Sequence, residues 1–259
     1  MRKKIAEISS SEPSRESSHE SSHEPSSGEG GASGPGAVVS WTGGKDGCLA
    51  AYKAMEAGVR VRYLLSFWNR NREGAHEVNP ALLAAQAESI GMPLIRTGFL
   101  SYEEEFKRVF RAIDEGERAK GRRVSSAVFG HIRTHGPLVD RICADLAIEG
   151  LMPIWNMDSQ EIIGELLEAG FEAVVVGVRS DLLGDEWLGR RIDGSFVADL
   201  KALDPSIDPC GENGEFHTFV LDGPIFKKRL VIEEAEAISR GAVRFLDIKE
   251  FAVEEKGAL

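Results

Sequence analysis

The segment Val38-Val39-Ser40-Trp41-Thr42-Gly43-Gly44-Lys45-Asp46-Gly47-Cys48 constrains this chain more than any other. It reads as a buried strand, a glycine-rich loop holding one lysine and one aspartate, and the apolar start of a helix. That layout suits a bound polyphosphate. Two adjacent glycines let the backbone turn tightly and aim several N–H groups at one anion, and the following helix adds its partial positive end. Lys45 supplies a full positive charge, while Asp46 can hold a magnesium ion or cap the helix. The Walker A spacing fails, because Lys45 is followed by Asp46 and no glycine sits five residues before Gly44. The competing reading is an ordinary strand-to-helix turn.

From Ala37 onward strand and helix patterns alternate. Strands are expected over 37–40, 59–67, 93–97, 124–129 and 173–178, with helices over 47–56, 80–90, 102–119, 138–148 and 159–169. Asn79-Pro80 gives the second helix a cap and a first-turn proline. This alternation predicts an α/β fold, a parallel sheet sandwiched by helices, with a smaller C-terminal α/β substrate domain. Ligands of such sheets gather at the carboxyl ends of strands, where the glycine loop lies. After 173–178 come a polar region at 179–194, a helix to Leu203, a loop at 204–214, and strands at 216–221 and 229–232. The expected divisions are a Ser/Glu/Gly-rich tail at 1–36, a nucleotide domain at 37–153 and a substrate domain at 154–250. The tail has almost no large apolar side chains and repeats Glu16-Ser17-Ser18-His19 as Glu20-Ser21-Ser22-His23, so it cannot offset its ordering entropy by burial.

With 42% hydrophobic and 28% charged residues, the composition is that of a globular protein with a substantial core. The net charge of −11 argues against a surface dedicated to nucleic acid, which is bound largely by neutralising its phosphates. Three widely spaced cysteines, Cys48, Cys143 and Cys210, form no C-x-x-C pair and point to reduced thiols. No apolar run is long enough to cross a bilayer, and residues 5–10 lack the apolar core of a secretory signal. A cytoplasmic location, with no membrane partner, is the expectation.

A second polar cluster is Cys210-Gly211-Glu212-Asn213-Gly214-Glu215-Phe216-His217-Thr218. With a strand starting at Glu215, Glu215 and His217 project to the same side, where a carboxylate beside an imidazole can relay a proton near neutral pH. The alternative is a strand end with solvated charges. Cys210 has no neighbouring base in sequence and reads as a loop cysteine rather than a nucleophile. His131 and His135 lie four apart, but Gly136-Pro137 breaks a helix there, which favours a loop role near the nucleotide over a metal site.

The run Thr42-Gly43-Gly44-Lys45-Asp46-Gly47 resembles the PP-loop ATP pyrophosphatase signature, Ser-Gly-Gly-Lys-Asp-Ser. Thr42 keeps the first hydroxyl; Gly47 replaces the last, removing a side-chain contact to phosphate but leaving the backbone N–H. Taken with the second cluster, the chain resembles the diphthine–ammonia ligase family, or diphthamide synthase domain, a branch of that superfamily. The likeness covers 37–232 and includes His76, Leu82-Leu83-Ala84-Ala85-Gln86-Ala87, Gly130, Pro153-Ile154-Trp155 and Asp185-Glu186-Trp187.

The resemblance implies an adenine nucleotide alpha hydrolase-like fold, ATP and Mg2+ as cofactors, and amide formation. An acceptor carboxylate is adenylated with release of pyrophosphate, and ammonia then displaces AMP. Thr42, Gly43, Gly44, Lys45, Asp46, Gly47, Ser66, His76 and Gly130 would bind the nucleotide, with Asp46 also at the metal. Glu212, Glu215 and His217 would be the catalytic residues that position the acceptor or deprotonate ammonium. The family's last motif is Gly-Glu-Gly-Gly-Glu-(Phe/Tyr)-Glu-Thr; here Asn213 replaces a glycine and His217 an acid. The form present resembles a sister branch linked to cobalamin salvage. The expected acceptor is therefore diphthine on elongation factor 2 or a small corrinoid acid. Two other classes compete: a non-catalytic ATP-binding sensor, and a tRNA-modifying PP-loop enzyme, which the acidic balance disfavours.

Overall fold

A strand that is apolar on both faces needs helices on both sides. The computed structural model of the chain, which describes residues 35–71 and 78–257, has them. The tail up to residue 34 and the candidate His76 lie outside the described residues. Five parallel strands, β1 (Gly36–Ser40), β2 (Val61–Asn69), β3 (Leu94–Phe99), β4 (Val124–Val128) and β5 (Glu149–Leu151), form one sheet in the order β3-β2-β1-β4-β5. The helices between them are α1 (Lys45–Glu56), α2 (Pro80–Ile90), α3 (Tyr102–Arg118) and α4 (Gly136–Leu146).

Alternation along β1 sorts the two layers. Ala37 and Val39 pack in the core that holds Leu49 and Ala50 of α1 and Leu82 and Leu83 of α2. Val38 faces the other way, into the core of Phe106 and Phe110 from α3 and Ile142 from α4. The predicted cap of α2 is present: Asn79 accepts from Ala81 N at 2.9 Å, Pro80 opens the helix, and Gly91 closes it at φ 79°. Strand order reverses at β1, with β2 and β3 on one side and β4 and β5 on the other. The loops after β1 and β4 therefore flank the switch point where ligands of such sheets bind.

Beyond α5 (Ser159–Glu168) the architecture changes. β6 (Glu172–Arg179), β7 (Phe216–Asp222), β8 (Lys228–Arg240) and β9 (Val243–Glu255) make an antiparallel sheet ordered β7-β6-β9-β8, with α6 (Phe196–Leu203) between β6 and β7 in sequence. The strand expected to end at Ile232 runs on to Arg240, turns at Gly241 (φ 63°) and returns as β9, which the sequence reading lacked. The Glu-Glu-Ala-Glu-Ala stretch at 233–237 has a helical composition. Cross-strand pairing overrides it, with Leu230 opposite Val253, Ile232 opposite Phe251 and Ile238 opposite Phe245. One apolar core continues from α1 and α2 through Ile162 and Leu166 of α5 into Val175, Phe219 and Leu230 of the second sheet. Gly34–Leu259 accordingly forms a single compact unit.

Candidate functional site

After β1 the backbone extends its ladder by one bond, from Trp41 N to Leu65 O at 2.7 Å, and then turns sharply. Gly43 makes the turn at φ +79°, and a Cβ there would lie 2.7 Å from the Phe219 ring, 2.8 Å from Gln86 Oε1 and 2.9 Å from Leu83 Cδ1. Only glycine meets both demands. Gly44 then serves as the N-cap of α1 in extended conformation, with no side chain to occupy the helix end.

The glycine loop is pinned to the second sheet by a residue the sequence reading did not single out for the site. Gln86 is fully buried in α2; its Nε2 donates to Gly43 O (3.1 Å) and Val220 O (2.7 Å), while its Oε1 accepts from Trp41 Nε1 (2.9 Å). Val220 N also donates to Gly43 O at 2.9 Å. A signal for Gln86 existed: it falls on the same helical face as Leu82, Leu83 and Ile90, where a polar side chain must find buried partners.

Lys45 is the first residue of α1 and is 2% exposed. Its backbone N–H donates to Thr218 Oγ1 on β7 at 3.2 Å. Its ammonium donates to both carboxylate oxygens of Asp46 (2.9 and 2.8 Å) and to the carbonyl of Cys210 (2.6 Å), and it sits 5.8 Å from the centre of the Phe216 ring. Burial alone pulls its pKa down; the surrounding negative charges, Asp46 foremost, outweigh that and leave it raised. Lys45 is therefore a full cation near neutral pH.

A cavity of about 470 Å³ opens beside this lysine. Thr42, Gly44, Lys45 and Asp46 form one wall and Glu212, His217 and Thr218 another, while His131 after β4 and Phe245 of β9 also line it. The two clusters read from sequence are thus brought to one cleft. Glu212 is partly buried there, and burial followed by the Asp46 charge raises its pKa. His217 lies opposite Gly177 of β6, which has no side chain; a Cβ at Gly177 would lie 3.2 Å from the imidazole and 3.1 Å from Phe245. His131 is held neutral, its pKa lowered to about 4 by burial and by His135, whose ring is 5.0 Å away.

Glu215 sits differently from expectation, and Ser66 and Gly130 are not among the residues that line the cavity. β7 begins at Phe216, so strand alternation does not reach Glu215. Its carboxylate, 3% exposed, turns back into the preceding loop to accept from Asp208 N, Asn213 N and Asn213 Nδ2, while His217 faces the cavity. Ser66 is buried inside β2 opposite Arg96, within the span expected for that strand, which runs two residues further, to Asn69. Gly130 abuts the first turn of α1: a Cβ there would meet Gly47 N at 2.7 Å and the Asp46 carbonyl carbon at 2.8 Å, so it lets β4 approach the helix closely. Gly47 itself has room, since a Cβ there would have only Ser40 O nearby, at 3.8 Å. Arg190 is engaged by Asp193 and Asp199.

The cleft sets a glycine turn and a buried ammonium beside the Glu212 carboxylate and the His217 imidazole. Among the described residues, no three His, Cys, Asp or Glu side chains gather into a metal cage. Magnesium in nucleotide sites is commonly bound by one or two carboxylates together with substrate phosphates, and the partly exposed Asp46 carboxylate at the cavity wall fits that pattern.

Two family models match the chain: the diphthamide synthase N-terminal domain over residues 36–150 and the diphthamide synthase C-terminal domain over residues 158–253. The chain is similar to the diphthine–ammonia ligases of Bos taurus and Homo sapiens, at 24% and 23% identity over 83% of this chain and 91% of each relative. It is 26% identical to the diphthine–ammonia ligase of Schizosaccharomyces pombe over 80% of this chain and 38% of that protein.

Proposed function

Because this chain belongs to the diphthamide synthase family, we propose that it is an ATP-dependent amide-forming ligase, which adenylates an acceptor carboxylate and then amidates it with ammonia. The observation that carries this reading is the buried Lys45 ammonium in the wall of a cavity lined by both the glycine loop and the 210–218 segment. A free carboxylate does not react with ammonia, because its oxygen leaves poorly; an adenylated one does. Gly44 and Lys45 would hold the phosphates and stabilise the charge that develops as pyrophosphate departs. Asp46 would hold magnesium, which neutralises part of that charge when bound. Thr42 lines the same wall and would contact the phosphates through its hydroxyl.

Glu212 and His217 are the proton-handling groups of this reading. The raised pKa of Glu212 makes its carboxylate a stronger base than an ordinary glutamate, suited to taking a proton from ammonium or from the attacking amine. His131, neutral near pH 7, also lines the cavity and can accept or donate a hydrogen bond there. The proposed acceptor is diphthine, as in the relatives' names; a corrinoid acid is the second reading, motivated by His217 and Asn213 where the family motif carries an acid and a glycine. The three free, buried cysteines fit a reducing compartment such as the cytoplasm.

A pyrophosphate-release screen tests this directly. With Mg·ATP and ammonia present, the chain should release pyrophosphate and AMP with a diphthine-bearing elongation factor or with a corrinoid acid. Tight ATP binding with no turnover on either acceptor would favour the sensor instead.

A further inference from the structure

The loop before β7 is organised around one buried carboxylate. Glu215 accepts through Oε1 from Asp208 N (3.2 Å) and Asn213 Nδ2 (2.9 Å), and through Oε2 from Asn213 N (2.9 Å). Asp208 passes the constraint on: its Oδ1 accepts from Cys210 N (2.8 Å) and its Oδ2 from Ser159 Oγ (2.9 Å). Cys210 Sγ donates to Ser159 O at 3.3 Å, and burial pushes that thiol up to about 12, so it remains a thiol. What the network presents to the glycine loop is the Cys210 carbonyl, 2.6 Å from Lys45 Nζ.

An ammonium has three N–H donors. Lys45 directs one at the Cys210 carbonyl and one, shared between its two oxygens, at Asp46, which leaves the third for a phosphate; a closer grip needs a partner exchanged. Asp46 is the exchangeable one, since its carboxylate is 26% exposed and suited to magnesium, while the Cys210 carbonyl is fixed by the network behind it. We propose that Glu215, assisted by Asn213, is a positioning residue for Lys45: it fixes the Cys210 carbonyl that holds the ammonium in place while Asp46 is released to the metal, and thereby couples order in the 208–215 loop to nucleotide binding. This rests on Lys45 being the phosphate-binding group. Coupling of this kind is reciprocal, so a ligand that orders the loop tightens nucleotide binding by the same factor. Asn213 thereby acquires a purpose: a glycine at that position, as in the family motif, would lack the Nδ2 donor to Glu215.

The test uses the full chain, Mg·ATP calorimetry and hydrogen exchange of the 208–215 amides. Glu215→Gln keeps volume but turns an NH2 toward a backbone N–H, and should weaken Mg·ATP roughly tenfold, the size of one lost charge-assisted hydrogen bond. Asn213→Gly, at an exposed position that does not endanger folding, should weaken it by a smaller factor. Without nucleotide, Lys45→Met should speed exchange at the Cys210 and Glu212 amides. Unchanged affinity in both loop variants overturns the proposal. So does loop exchange unmoved by Lys45→Met, whether or not the wild-type chain binds ATP. A wild-type chain that binds no Mg·ATP overturns the nucleotide reading itself, while the exchange arm still decides the coupling.

Discussion

Gly47 stands where the PP-loop signature has serine, and the space above it is open. Gly47→Ser should therefore be accommodated, gain a few tenths of a kcal/mol in helix propensity, and tighten Mg·ATP by restoring a hydroxyl; calorimetry and a melting curve check both. Gly43→Ala should behave in the opposite way. Its left-handed φ of 79° costs an alanine about 1 kcal/mol or more, and the methyl also collides with Phe219 and Gln86, so both melting temperature and nucleotide affinity should fall. These glycines and Lys45 were legible in sequence because their chemistry is local: a turn, a charge, a helix start. Gln86 and the Cys210 carbonyl were not. One is an amide whose place on an apolar helix face marks it as buried but not by what, the other a backbone atom 165 residues from the lysine it contacts.

Elements show the same division between local and distant causes. Four strands of the first sheet were legible because apolar stretches alternate with helical patterns, as in β2 before α2 and β4 before α4, whereas β5 is only Glu-Gly-Leu and carries no such pattern. The β8–β9 hairpin was not, since Glu233, Glu234 and Glu236 are solvent-facing and only pairing with β9 makes their segment extended. At the end of α3, Glu117 gathers Tyr63, Lys120 and Arg122 around one carboxylate. The Arg122 bond, more than any other contact, holds its pKa near 2, below the ordinary 4.5. A carboxyl with a depressed folded pKa stabilises above its unfolded pKa and loses that stability as pH falls through the folded value. Urea midpoints should thus show Glu117→Gln less stable than wild type at pH 7, with the gap closing between about pH 4.5 and pH 2. A constant gap across that range would contradict the assignment.

At the scale of the whole molecule, the halves read from sequence as separate domains share one core and a seam of hydrogen bonds. Gly43 O accepts from Val220 N, and Lys45 N donates to Thr218 Oγ1, so the glycine loop takes its shape partly from β7. A fragment spanning 37–153 should therefore fail to bind Mg·ATP, even if it retains helical circular dichroism. The pH dependence of turnover belongs here too, because Glu212 and the glycine loop line one cavity only through this assembly. With its pKa raised, the acid limb of kcat/KM should lie above the usual glutamate range, and Glu212→Gln should remove that limb together with most of the rate. The most direct test of the whole account is AMP formation from ATP, with acceptor and ammonia supplied, by the wild-type chain and by Lys45→Ala. The account predicts AMP release by wild type and none above background by the variant; undiminished AMP release by Lys45→Ala would contradict it.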